Sequence, residues 1–429
     1  MHALLSLLFV ACAPKTEPER DPDVIAPVED EPGAAWTILV YMDGDNDLES
    51  YVMHDLNELE ASMLNPDVRV LVLADRAEGY VREDGDWTTT RRYEILPDAD
   101  LDVVVSPVIE DMGELDMADP QTLADFITWG RSYAPAERTA IVLWNHGTTW
   151  WAEDPTDDGS ARGPGEGGLL DPITGDPIGN TPPPGVAWDD SSGRELSIAK
   201  GDLQDGLAMG IGDGAPFDVI AFDACNMASF EVAHALSPYG LTLVGAESTV
   251  GMEGLNYTST IGELSLNPGV DGVVLAELFA RHGVKVNMEP NYSAIGLDDL
   301  GPLVTAIDDI AGLALEDAAA MDAFLSGRAA ARGAEADPWR LAYLDLGDLG
   351  RRLAEVDHPA MAEAGAALES AVFDTVIAAY GSQGFVWTTG MTIYADTVQT
   401  DLHDYTKRGA SWSEVTRWDE LLKTIAATE

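Results

Sequence analysis

The sequence predicts an α/β fold: a mostly parallel sheet with helices on both faces, followed by a largely helical carboxyl-terminal portion. Three observations lead there. Five short apolar runs, Trp36–Met42, Val68–Leu73, Thr139–Trp144, Phe217–Phe222 and Leu241–Gly245, are nearly continuous, as expected of strands buried on both faces. The stretches between several of them carry apolar residues at helical spacing, the alternation that builds parallel sheets. Finally, 46% of the 429 residues are hydrophobic, enough for a large core although 76 acidic residues against 23 Lys and Arg give a net charge of -53.

Taken in order, Ala3–Ala11 is an apolar run too short to cross a bilayer and placed where a secretory signal has its hydrophobic region. It ends in Phe9-Val10-Ala11-Cys12, which resembles the lipobox of bacterial lipoproteins, in which Cys12 would be acylated and become the mature amino terminus. An ordinary signal peptide and a buried strand are the alternatives. Residues 13–34 combine proline with charge and read as a solvated tether, so residues 35–260 form the predicted α/β domain.

Within it, Asp47 is placed to cap a helix whose apolar positions are Leu48, Val52, Leu56 and Leu59. Trp87–Leu96 reads as one arm of a hairpin and Pro120–Tyr133 as a helix with Leu123, Phe126 and Ile127 on one side. Residues 153–188 form an insertion rich in Gly, Pro and Asp, longer than connections in compact domains and therefore either functional or disordered. A helix is expected over Met227–Leu236. Residues 261–429 read as helices over Val270–His282, Leu303–Leu315, Ala319–Arg332, Leu349–Val356, Met361–Tyr380 and Trp412–Ala426, with strand character only in Gly384–Tyr394.

A surface this acidic repels phosphate backbones and anionic headgroups, which excludes nucleic acid as a partner and leaves a lipid on Cys12 as the only expected route to a membrane. Two cysteines exclude a disulfide scaffold. No His-x-x-x-His pair, cysteine cluster, phosphate loop or dinucleotide fingerprint is present, so no transition metal, ATP or NAD is called for and no cofactor is required. Calcium stays open at Asp43-Gly44-Asp45-Asn46-Asp47. That stretch is not an EF-hand, because Leu48 stands where glycine is needed and His54 where the bidentate glutamate belongs. It is either a turn with a cap or a cation-binding loop.

In open α/β sheets, ligands bind at the carboxyl ends of the strands. The third run leads into Asn145-His146-Gly147 and the fourth into Asp223-Ala224-Cys225, so one strand offers an imidazole and the next a thiol, a nucleophile with its base. An ordinary thiol, of pKa about 8.5, is only slightly ionised at neutral pH; an imidazole or a helix amino terminus beside it raises the thiolate fraction. The helix expected from Met227 would supply the second. The plain alternative is a small buried thiol and a hydrogen-bonded core histidine.

Around these residues the sequence resembles the clostripain family of cysteine peptidases. The motifs are WTILVYMDGDNDLE (36–49), GELDMADPQTLADF (113–126), IVLWNHGTTW (141–150), VAWDDSS (186–192) and FDVIAFDACNMASFEV (217–232), which follow the family in order. The resemblance covers roughly residues 35–260 well and the helical remainder loosely, and it implies a caspase-like sheet and an endopeptidase with a His146/Cys225 dyad. It also implies an oxyanion hole from the N–H groups of Gly147 and Cys225, each donor typically worth about 3 kcal/mol. Family enzymes prefer Arg or Lys before the scissile bond through two acids, which here match Asp223 and, by alignment of AESTVGMEGLNY (246–257), Glu253 in place of an aspartate. Both are expected to sit desolvated. Self-cleavage in the insertion would fall after Arg162, which precedes Gly163-Pro164. The resulting expectation is an exported peptidase acting on proteins or peptides with a basic residue before the cut, either lipid-anchored at the cell envelope or secreted. Its competitors are a non-catalytic, calcium-binding surface lipoprotein that keeps the fold as a binding module, and an acyl-transfer enzyme that uses the same dyad.

Overall fold

A computed structural model of the chain describes residues 33–62, 64–82, 85–150, 185–287, 291–333, 343–382, 385–397 and 405–428. The expected signal and lipobox, the tether up to residue 32, and almost all of the insertion lie outside them.

The five apolar runs become β1 (Ala34–Gly44), β2 (Val68–Arg76), β5 (Ala136–Trp144), β8 (Val219–Asp223) and β9 (Thr242–Gly245), paired in parallel in the order β9-β8-β5-β1-β2. Beyond β2 the sheet continues antiparallel through β3 (Arg91–Glu94) and β4 (Val108–Asp111). Alternate residues of the central strands enter two separate apolar layers. Ile38, Val40, Val70, Val72 and Val142 pack with α1 (Glu49–Glu60), α5 (Tyr257–Leu266) and α6 (Gly272–Asn287). Leu39, Tyr41, Leu71, Leu73, Ile141 and Leu143 pack with α2 (Pro120–Tyr133), α3 (Asp202–Ile211) and α4 (Phe230–Leu236). Burial on both faces is why these strands carry so few polar residues.

The carboxyl-terminal half holds more strand than the one late stretch expected. It supplies β10 (Asn291–Gly296), antiparallel to β9, and β12 (Val376–Gly381), antiparallel to β10 at the sheet edge. The helix expected over Met361–Tyr380 stops at Thr375 as α10 (Pro359–Thr375), because Val376 and the residues after it find an edge to pair with. Strand character in Gly384–Tyr394 narrows to β13 (Thr392–Tyr394), which pairs with β11 (Tyr343–Asp345) in a ribbon separate from the main sheet. The last expected helix divides into a 3-10 turn, Ser411–Glu414, and α11 (Trp418–Ala426). Residues Ala34–Glu429 form one compact unit.

Two contacts tie the carboxyl-terminal half to the strand ends. Trp150, six residues beyond β5, packs edge-on against Tyr394, Tyr405 and Trp412, at 5.3, 4.8 and 5.7 Å between ring centroids. Past β9, buried Glu247 accepts the Gly390 N–H and shares a carboxyl–carboxyl hydrogen bond with Asp345. Asp345 in turn accepts the N–H groups of Asp348 (2.7 Å) and Thr389 (2.6 Å). Burial, then the charge of Asp345, raises Glu247 well above the carboxylate range, and burial lifts Asp345 to about 6. The pair therefore holds a proton in the folded chain.

Candidate active site

The carboxyl ends of β1, β2, β5 and β8 finish nearly level: Asp43 pairs with Asp75, Met42 with Trp144, and Trp144 with Asp223. His146 and Cys225 each stand two residues past the Trp144–Asp223 pair, at the ends of neighbouring strands, as the sequence implied. The loops beyond are in close contact. A Cβ placed on Gly147 would lie 2.3 Å from the Cys225 carbonyl oxygen and 3.0 Å from the Cys225 nitrogen, so only glycine permits this approach. The turn after the cysteine is held by Asn226, at φ +62°, a left-handed conformation that asparagine tolerates. Its N–H donates to Ser248 O at 3.0 Å and its amide reaches Gly147 O at 3.5 Å. Cys225 is half-buried, is in no disulfide, and has Sγ 3.9 Å from Val250 O.

Helix α4 begins only at Phe230, capped by Ser229, so its amino terminus does not abut the thiol as expected from a helix starting at Met227. Met227, Ala228 and Ser229 instead run extended into the core, Ala228 bonding Ala246 and Thr392.

His146 has a partner that the sequence reading placed elsewhere. Its Nε2 lies 2.7 Å from Asp47 Oδ1, with the histidine side chain 15% exposed and the aspartate 32%. The expected helix cap is absent: the residue before α1 is Leu48, and no side chain caps that end. The same strand-end logic that placed His146 and Cys225 on neighbouring loops points to Asp47, because β1 is the other neighbour of β5 and its loop rises beside the imidazole. Around the ring, Trp188 packs at 6.0 Å between centroids, and its carbonyl accepts Asn46 Nδ2 at 2.7 Å and Asn145 Nδ2 at 3.3 Å. Asn145 also donates to Asp43 O at 2.7 Å. Two asparagine amides thus bind the β1 loop, the β5 loop and β6 (Val186–Asp189) into one frame.

The two expected specificity acids sit in different environments. Asp223 is buried at the end of β8, where Oδ1 accepts the Leu255 N–H at 2.9 Å and Oδ2 the Tyr257 hydroxyl at 2.7 Å. Burial and then the Asp223 charge raise Tyr257 far above the usual phenol range, so it stays a donor. Gly254, at φ +55°, rests directly on the Asp223 carboxylate, leaving no room for a side chain. Beside them, buried Asp55 accepts Trp144 Nε1 at 2.5 Å, and burial followed by the Asp223 charge raises it well above the carboxylate range. Glu253, by contrast, is 59% exposed and 3.5 Å from His54 Nε2. The expectation that it is desolvated is therefore corrected: the 251–254 turn, folded over Asp223, carries the Glu253 side chain outward. Cys12 and Arg162 lie outside the described residues.

The donor clusters that the described residues assemble are all carboxylate: Asp43, Asp75 and Asp189, and next to them Asp45, Glu114 and Asp189. Such oxygen-only sets suit hard cations rather than zinc or copper.

The sequence profile of the clostripain family matches residues 40–163 and 177–424. The chain belongs to the clostripain family. Clostripain of Hathewaya histolytica is 25% identical over 254 residues, 55% of this chain and 43% of its own length; the match thus spans less than half of that relative. Among solved structures, a secreted C11 cysteine protease of Bacteroides thetaiotaomicron, bound to an irreversible peptide inhibitor, superimposes with a TM-score of 0.64 at 20% identity, over 90% of this chain and 99% of that one. An inactive zymogen C11 protease of Parabacteroides distasonis gives 0.60 at 19% identity, over 91% and 98%. The caspase-like fold expected of a clostripain-family chain is thus present, and it extends over the carboxyl-terminal half that the motifs left unmatched.

Proposed function

We propose that this clostripain-family chain is a cysteine endopeptidase that cleaves after Arg or Lys, with Cys225 as nucleophile and His146 as base. The observation that carries the reading is the close approach of Gly147 to the Cys225 backbone, beside an imidazole whose Nε2 is engaged by Asp47.

With Nε2 donating to the Asp47 carboxylate, Nδ1 is the ring nitrogen left to take a proton. In the reaction it accepts the Cys225 proton as sulfur attacks the scissile carbonyl carbon. The N–H groups of Gly147 and Cys225 stabilise the oxyanion. The imidazolium then protonates the departing amine, and water resolves the thioester. Asp47 is a positioning residue: it holds the ring and its tautomer and offsets the imidazolium charge, the part a third group plays in triads.

Basic specificity follows from Asp223 and Glu253, joined by Asp55 and Glu58, whose charges act on one another. Buried Asp223 sets the field and exposed Glu253 guards the entrance. A side-chain cation brought here meets a group of carboxylates whose like charges act on one another and favour a counter-charge. The same reading includes export through the apolar run 3–11, a lipid anchor at Cys12 or else secretion, and self-cleavage after Arg162 within the insertion. Among the described residues no helix is long and apolar enough to cross a membrane.

The test is cleavage of an unbiased peptide library by the full chain, alongside labelling by an iodoacetamide probe. Cuts confined to bonds after Arg and Lys, and labelling lost in Cys225→Ala, support the proposal. Cuts spread over acidic and apolar residues defeat the specificity, and a chain that labels but cuts nothing favours the binding-module alternative.

A further inference from the structure

The group of acids around Asp223 has a histidine at its edge, one the sequence raised only as the residue that rules out an EF-hand. Helix α1 turns one face to the core through Val52, Leu56 and Leu59, packed over Val40, Val70 and Val72 of β1 and β2. Its other face carries His54 and Glu58, four positions apart and therefore neighbours. Half-buried Glu58 accepts the Tyr257 N–H at 3.1 Å, and Tyr257 donates its hydroxyl to Asp223 at 2.7 Å. His54 is exposed. Its Nε2 lies 3.5 Å from Glu253 Oε2 and 3.9 Å from Glu58 Oε1, so the imidazole stands between the acid on the 251–254 turn and the acid on its own helix.

We infer that His54 sets how strongly this subsite holds a cationic side chain, an assignment that rests on the basic specificity proposed above. Neutral, the ring leaves Glu58 and Glu253 to a bound Arg or Lys. Protonated, it supplies their counter-charge itself and competes with that side chain. Histidine is the residue whose charge changes between about pH 5 and 8, so the subsite weakens as pH falls through that range. Binding is reciprocal: a cation that enters the site must drive a proton off the ring.

The surroundings of the ring leave these two acids as its partners. Glu58 faces it from α1 and Glu253 from the turn leading into α5. Asp55, the next residue, is buried against Trp144 Nε1, and both it and Asp223 act on the acids from behind. The other charges of α1 and α5 are committed elsewhere: Glu49 to Arg76, Glu60 to the N–H groups of Val105 and Ser106, and Glu263 to Arg281 and His282. Burial raises Glu58 above the ordinary carboxylate range, and the His54 charge is the largest influence opposing that rise. Histidine and acid are thus electrically linked. Because His54 and Glu253 are exposed, solvent screens the contact and its effect amounts to a factor of a few.

The test uses the full chain as Cys225→Ala, so that nothing is hydrolysed, titrated by calorimetry with an acetylated tripeptide amide ending in arginine. The same peptide ending in norleucine serves as the uncharged control. Affinity for the arginyl peptide should be about fivefold lower at about pH 6 than at about pH 8, while the control changes little. His54→Gln, neutral throughout, should keep the tighter affinity at both pH values; His54→Arg, charged throughout, should keep the weaker one. Both substitutions place good helix formers at an exposed helical site, so folding is retained. Binding heats compared across buffers should reveal proton release with the arginyl peptide, lost in His54→Gln. A pH dependence unchanged in His54→Gln, or arginyl binding as tight in His54→Arg as in the parent at about pH 8, overturns the role of His54. Equal affinity for the arginyl and norleucyl peptides in every variant overturns the basic subsite itself, and the inference with it.

Discussion

Replacing Gly147 by alanine measures how closely the histidine loop must approach the cysteine. The new Cβ would fall 2.3 Å from Cys225 O, 2.9 Å from Ala224 Cβ and 3.0 Å from Cys225 N, where ordinary contacts begin at 3.4 Å. All three obstacles are backbone or a rigid methyl, so the loops must part by about 1 Å. A displacement of about 1 Å among reacting groups costs on the order of 100-fold in rate, or about 2.7 kcal/mol of transition-state stabilisation. Both proposed oxyanion donors move, so the loss should fall on kcat more than on KM. Steady-state hydrolysis of an arginyl peptide reads this effect, and the rate of iodoacetamide alkylation serves as control, since alkylation needs the thiolate but no oxyanion hole. Turnover about 100-fold lower, with alkylation within a few-fold of wild type and a melting temperature lower by a few degrees, is the expected result. Wild-type turnover, or alkylation that falls in parallel with hydrolysis, would refute the reasoning.

Three other perturbations follow from the same geometry. Asp47→Ala removes a 2.7 Å charge-assisted hydrogen bond to His146, a contact typically worth about 1.5–3 kcal/mol; because Asp47 is partly exposed, a 10- to 50-fold fall in kcat with KM nearly unchanged is expected, and an unaltered kcat in a folded variant would remove its positioning role. Asp223→Asn should raise KM for arginyl peptides at least tenfold, whereas Glu253→Gln, at an exposed site where a charge contact contributes about 1 kcal/mol or less, should change it less than fivefold; the reverse order contradicts the division of labour between them. Glu247 and Asp345 bind a proton more tightly folded than unfolded, so their contribution to stability is present below about pH 4 and is lost as pH rises through about 6 and beyond. Glu247→Gln donates to Asp345 without that proton, so its melting temperature should gain on wild type from pH 5 to pH 9, and parallel curves would exclude the shared proton.

The five parallel strands were legible because burial on both sides strips polar residues from a strand, and the placement of His146 and Cys225 at neighbouring strand ends was legible because those strands were. β10 and β12 were not. Asn291-Tyr292-Ser293 interrupts an apolar run with polar side chains that the core satisfies: Asn291 Oδ1 accepts the Glu247 N–H at 2.8 Å and Ser293 Oγ donates to Gly390 O at 2.6 Å. Val376–Tyr380 continues the composition of the helix before it and becomes a strand only through pairing with β10. Asp47 was misread because an aspartate before a helix is usually a cap, and nothing local distinguishes a carboxylate that faces a histidine 99 residues away. The depth of Glu253 was equally invisible, since an alignment transfers residue type and not which way a turn carries it.

Turnover of Cys225→Ala and His146→Ala, measured on an arginyl peptide with folding checked by thermal melting, tests the central claim most directly. As two parts of one unit, each replacement should lower kcat by roughly four orders of magnitude or more while the melting temperature stays within a few degrees of wild type. Hydrolysis that persists in folded Cys225→Ala, at anything near the wild-type rate, would contradict the account.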